Sequence, residues 1–85
     1  MLRKLIARAL NRNQKLILFS IINGEKESLY SVLMRLSFRH GIALSTLKMN
    51  ARILRGLDLI SFNGHVGLTS SGEFVKNIMG DKNER

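Results

Sequence analysis

An 85-residue chain with a formal net charge of +8 and no cysteine forms one domain at most, without a disulfide framework or a thiolate zinc site. Apolar residues make up 45% of it, enough for a packed core and too many for a disordered tail. No run approaches the roughly 18 apolar residues that a membrane-spanning helix needs.

Leu2, Leu5, Ile6 and Ala9 recur at helical spacing, with Arg3, Lys4 and Arg8 off the stripe; residues 1–12 are read as a short amphipathic helix. Asn11-Arg12-Asn13 interrupts it only weakly, and nothing there forbids one continuous helix. Residues 14–22 are apolar nearly all round, which predicts a central core helix. Asn23-Gly24 ends it, with Gly24 available for a left-handed cap. Ser28 is a good N-cap for the next helix, whose inner face is Leu29, Val32, Leu33 and Leu36. Arg39-His40-Gly41 is a turn, and a further helix begins within residues 43–45 and runs to about Arg55. Ile60-Ser61-Phe62 alternates as a strand should. Asn63-Gly64 signals a two-residue type I′ hairpin, and His65 to Leu68 returns. Thr69 caps a last helix with Phe74, Val75, Ile78 and Met79 inward. Residues 80–85 are polar and read as a flexible tail. No role is evident for Gly67, and a helix end accounts for Gly72. The five aromatic residues are read as core.

The charge is segregated. Residues 1–24 carry five basic groups and no acid, and residues 28–72 carry Arg35, Arg39, Lys48, Arg52 and Arg55 against Asp58 alone. A surface built this way attracts polyanions and speeds encounter with them. His40 and His65 lack partners at metal-ligand spacing, and no nucleophile elbow or phosphate loop is present. No metal, cofactor, small-molecule substrate or catalytic activity is therefore expected.

The helix before the hairpin carries the functional argument. Leu36, Ile42, Leu47, Ala51 and Leu54 would fill the angle of a helix-turn-helix. Ser45, Lys48, Met49 and Arg52 would stack outside at i, i+3, i+4 and i+7, with Thr46 and Arg55 beside them. Arginine binds guanine in bidentate fashion, a hydroxyl bonds a base edge or phosphate, and methionine meets a thymine methyl.

With the hairpin and the Thr69 cap following in order, residues 14–79 resemble the winged helix-turn-helix regulators, the small archaeal and bacterial transcription factors above all. The resemblance is best over Gly41 to Ile60 and over Leu68 to Phe74. It implies a mainly α fold with a small β-hairpin, here preceded by the amphipathic helix. A winged helix-turn-helix domain would span residues 13–79. It also implies a DNA site of Ser45, Thr46, Lys48, Met49, Asn50 and Arg52, with a wing at Asn63, Gly64 and His65. Arg39 and Arg55 join that site from the charge pattern. The chain departs from the family pattern at Ser37, His40, Ala43 and Asp58. The first three bear on the turn; Asp58 stands where a glycine is usual before the first wing strand. The wing carries no Lys or Arg.

The expected function is sequence-specific binding of double-stranded DNA as a transcriptional regulator, the partner being DNA and a second copy of the chain. Two alternatives are an architectural DNA binder with little sequence preference and a protein-interaction module. An N-terminal stripe of Leu2, Leu5, Ile6 and Ala9 with no place in the three-helix core would form the homodimer contact, or else fold back on its own core. Arg12 and Lys15 continue the basic pattern past the apolar start and no cleavage site follows, so no secretory leader is expected; the expected location is the cytoplasm, associated with the nucleoid.

Overall fold

The computed structural model describes Leu5 and residues 8–83, the side chains as far as Gly80. Leu2 and Ile6 of the expected dimer stripe lie outside the described residues. Leu5 and Ala9 are exposed, and the residue that reaches the core is Leu10, one step off that stripe.

Helix α1 spans Arg12–Ser20 and is a separate helix. Asn11 breaks the chain before it with an extended backbone and forms a capping box. The Gln14 N–H donates to Asn11 Oδ1 at 2.8 Å, and the Asn11 N–H donates to Gln14 Oε1 at 3.0 Å. These bonds satisfy two donors that a continuous helix would not leave open. Leu10, three residues before the expected boundary at residue 13, is buried in the core. Helix α1 is one-sided: Gln14, Ile17 and Leu18 are buried, while Lys15 and Phe19 face outward. It ends at Ile21 in an extended conformation, before Gly24, whose φ of 99° serves the following turn.

Helix α2 (Leu29–His40) starts at Ser28, whose Oγ accepts from the Ser31 N–H, and buries Val32, Leu33 and Leu36. It stops at Gly41, which adopts φ 66°. Left-handed backbone at that point costs glycine nothing and other residues about 1–2 kcal/mol. Ser37 fits the turn by donating from Oγ to the Ile42 carbonyl at 2.6 Å. Helix α3 (Leu44–Gly56) follows at once and buries Leu47, Asn50, Ala51 and Leu54. Its N-cap, Ala43, makes no side-chain capping bond. Asp58 then takes φ 62°, the left-handed position for which glycine is the usual residue.

Strands β1 (Ile60–Asn63) and β2 (His65–Leu68) pair antiparallel, with Phe62 opposite Val66 and Asn63 opposite His65. The tip is Gly64 alone, at φ 87°, and Asn63 keeps a negative φ. The expected Asn-Gly type I′ turn is thus not formed. A two-residue loop would set Phe62 opposite His65 and turn one strand's apolar side chains away from the core. The one-residue shift keeps Ile60, Phe62, Val66 and Leu68 on the inner face. The loop after α1 flanks β2: Val66 N–H donates to the Glu27 carbonyl at 2.9 Å, and Asn23 bonds both the N–H and the C=O of Leu68. A Cβ on Gly67 would lie 3.3 Å from Asn23 Oδ1, a tight contact to which the Asn23 side chain would have to yield.

Helix α4 (Ser70–Asn83) continues past Met79, so residues 80–83 are helical and only 84–85 of the expected tail lie outside the described residues. The Thr69 hydroxyl accepts from the Gly72 N–H at 3.0 Å and donates to the Asp58 carbonyl at 2.5 Å, tying the start of α4 to the end of α3. Val75 and Met79 are buried and Ile78 is half-buried, but Phe74 is exposed. Gly72 is buried beneath β1's approach: a Cβ there would lie 1.9 Å from the Leu59 carbonyl oxygen. Close packing, rather than a helix end, requires it. The order helix, helix, turn, helix, hairpin, helix encloses one core, in which Ile17, Leu18, Leu33, Leu47, Leu54, Leu59, Ile60 and Val75 meet. This is a mainly helical fold with a helix-turn-helix and a two-stranded wing. Among the described residues, no helix is long and apolar enough to cross a membrane.

Candidate nucleic-acid interface

At about 100° per residue, a helix that buries Leu47, Ala51 and Leu54 turns Ser45, Met49 and Arg52 straight outward. All three are exposed, Met49 to 56%. Lys48 and Arg55 flank that face on the side of α2 and the hairpin. The Lys48 ammonium lies 5.7 Å from the centre of the Tyr30 ring. The Arg55 guanidinium lies 4.7 Å from the centre of the Phe62 ring. Each contact is within the range in which a ring face attracts a cation. Ile53 and Leu57, both exposed, occupy the opposite flank.

Asn50 does not belong to this face. It is 4% exposed. Its Oδ1 accepts from Gln14 Nε2 at 3.0 Å and from Asn11 Nδ2 at 3.1 Å, and its Nδ2 donates to the Thr46 carbonyl at 2.8 Å. Its hydrogen-bonding capacity goes to holding α1 against α3. Thr46 is half-buried beside it. The capping pattern Asn11-x-x-Gln14 was the available signal for a helix start here; nothing local marks Asn50 itself.

Arg39 is exposed in the last turn of α2, where a cation complements the helix dipole. Asn63, Gly64 and His65 form the exposed tip of the hairpin. That tip carries no cation, but Arg55 stacked on Phe62 brings one to its base. Tyr30, read as core, is 56% exposed and lies against Lys48; Phe38, read the same way, is 94% exposed. The aromatic side chains therefore do not form the core.

Charge neutralisation is confined elsewhere. Among the described residues the one ion pair joins Arg35 to Glu27, and the hydrogen bond to Glu27 raises the Arg35 pKa above its ordinary value. Arg39, Lys48, Arg52 and Arg55 have no carboxylate partner among those residues. No three His, Cys, Asp or Glu side chains among them gather as a metal site. The result is a helix with one face locked into the core by apolar packing and an amide network, and the other presenting cations and a thioether. No protein-family model, curated protein or solved structure matches this chain.

Proposed function

We propose that the protein is a sequence-specific double-stranded-DNA-binding regulator of transcription, resembling the winged helix-turn-helix regulators. Helix α3 would enter the major groove and the hairpin would lie against the adjacent backbone. The observation that carries this reading is the outer face of α3: Ser45, Met49 and Arg52 outward, with Lys48 and Arg55, which have no carboxylate partner among the described residues, beside them. Cations contribute affinity for phosphate, and Arg52 with Met49 supplies contacts able to distinguish bases. A homodimer would set two such helices in successive major grooves, about 34 Å apart.

Selection from random duplex DNA at two salt concentrations tests the reading. An enriched motif is expected, and Arg52→Ala should lower affinity for it by about 1–3 kcal/mol while relaxing choice at one base pair. Equal loss on every sequence would assign Arg52 to phosphate. One observation favours a second reading. With Asn50 withdrawn, α3 offers no amide for the bidentate adenine contact. An architectural binder, reading charge and shape, would return no motif from the same selection.

A further inference from the structure

The α3 face leaves the cations at the start of the chain unused. Arg8, Arg12 and Lys15 are all exposed, and none has a carboxylate partner among the described residues. Helix α1 lies behind α3. Gln14 Nε2 and Asn11 Nδ2 donate to Asn50 on the buried side of α3, and Ile17 and Leu18 share the core with Leu47 and Leu54. At about 100° per residue, Arg12 is turned about 160° away from Gln14 and Lys15 about 100°. The outer faces of α1 and α3 therefore point away from each other, and each carries exposed cations.

Helix stability does not account for the cations on α1. The positive end of a helix dipole favours acids, and the negative end favours bases. Helix α1 has no acid in its first turn and no base in its last, and it opens on Arg12 itself. Its charges stand at the end where the dipole opposes them. They also lie out of reach of a duplex held by α3. With packed axes about 8–10 Å apart and a radius of about 5–6 Å for each helix with its side chains, charges on the two outer faces are roughly 20 Å apart. The Debye length at physiological ionic strength is about 8 Å, so phosphates at one face are screened from cations at the other.

We propose that Arg8, Arg12 and Lys15 form a second phosphate-binding face, on which one chain holds a second DNA duplex by its backbone while α3 occupies the first. The proposal rests on the DNA reading above. Cations on phosphates bind without regard to sequence, so the protein would tether a site chosen by α3 to any neighbouring duplex. A membrane surface fits this face less well. An interfacial helix needs a wide apolar side beside its cations, whereas α1 turns Ile17 and Leu18 into the core and leaves Phe19 as its one exposed large apolar residue.

The test separates one duplex from two. Fluorescence anisotropy gives affinity for a single dilute duplex. Retention of a labelled duplex on beads that carry an unlabelled one gives bridging, with each protein added at the concentration that saturates the immobilised duplex. The full chain should retain the labelled duplex. The triple variant Arg8→Gln, Arg12→Gln, Lys15→Gln should lose at least fivefold in retention, while its single-duplex affinity changes less than about twofold and its salt slope stays the same, because these cations displace no counterions from the first duplex. Its thermal midpoint should not fall, because the substitutions leave the Asn11–Gln14 capping box in place and remove charges that the dipole opposes. No retention by the full chain, with single-duplex binding intact, would overturn the second face and leave the DNA reading standing. Undiminished retention by the triple variant would assign bridging to a pair of α3 faces, and an equal loss in both assays would assign the three residues to the first duplex; either overturns the proposal. Phosphatidylglycerol vesicles bound by the full chain and not by the variant, without bridging, would give the face to a membrane instead. Absence of single-duplex binding at any salt would remove the DNA reading and the second face together.

Discussion

Asn50 shows how much a single helical step decides. It follows Met49 in the chain, yet 100° of rotation takes it from solvent to the interface with α1. There its carboxamide closes a network with Gln14, Asn11 and the Thr46 carbonyl. No buried side-chain nitrogen or oxygen among the described residues lacks a partner, so removing this acceptor leaves unsatisfied donors. Asn50→Ala should destabilise the protein by about 1–3 kcal/mol, because the Gln14 and Asn11 amides would lose their acceptor. Urea denaturation measures it; a loss below about 0.5 kcal/mol would show water replacing the bond. Arg52 sits on the other side of the same helix and its substitution belongs to binding, not stability.

The elements are joined by short backbone devices. Gly41 in the left-handed region and the Ser37 hydroxyl on the Ile42 carbonyl shape the turn between α2 and α3. Thr69 and Asp58 join α3 to α4. The weak point is the start of α3, where Ala43 supplies no cap and no acid lies in the first turn. Ala43 already has non-helical backbone angles, with φ −58° and ψ 135°, so a hydroxyl there could accept from a free helical N–H. Ala43→Ser should raise stability by about 0.5–2 kcal/mol, read as a shift of the denaturation midpoint. An unchanged midpoint would mean the first-turn N–H groups are already well served by water. The hairpin is governed from outside itself. Its tip residues favour one turn, and the need to place Phe62 and Val66 on the same face selects another.

Across the whole molecule, charge is the property with the longest reach. The net +8 is spread over surfaces on which Arg39, Lys48, Arg52 and Arg55 lack acidic partners among the described residues. If about five phosphates are neutralised per subunit, log K should fall with log of salt concentration at a slope near −4 to −5. Fluorescence anisotropy at four or more salt concentrations gives the slope, and a flat line would end the nucleic-acid reading. Dimerisation has a separate readout in sedimentation equilibrium at micromolar concentration, where the proposed regulator should exceed the mass of one chain. A monomer there would remove the paired-groove geometry while leaving single-site binding intact.

Helical periodicity alone located α2, α3 and α4 to within a few residues, because each carries a clear apolar stripe and a legible cap or stop. It also marked Leu47, Ala51 and Leu54 as core and Ser45, Lys48, Met49 and Arg52 as outward, since both follow from 3.6 residues per turn. Tertiary structure decided what periodicity does not encode. Asn50 and Met49 both lie off the apolar stripe, and only the arrival of Gln14 and Asn11 from α1 buries one and leaves the other free. Tyr30 and Phe62 flank α3 only once the turn angle and hairpin register are set. Gly72 needs to lack a side chain only because Leu59 passes within contact distance of it. Short-range sequence carries angular position around a helix; which neighbour occupies that direction is fixed when distant segments pack.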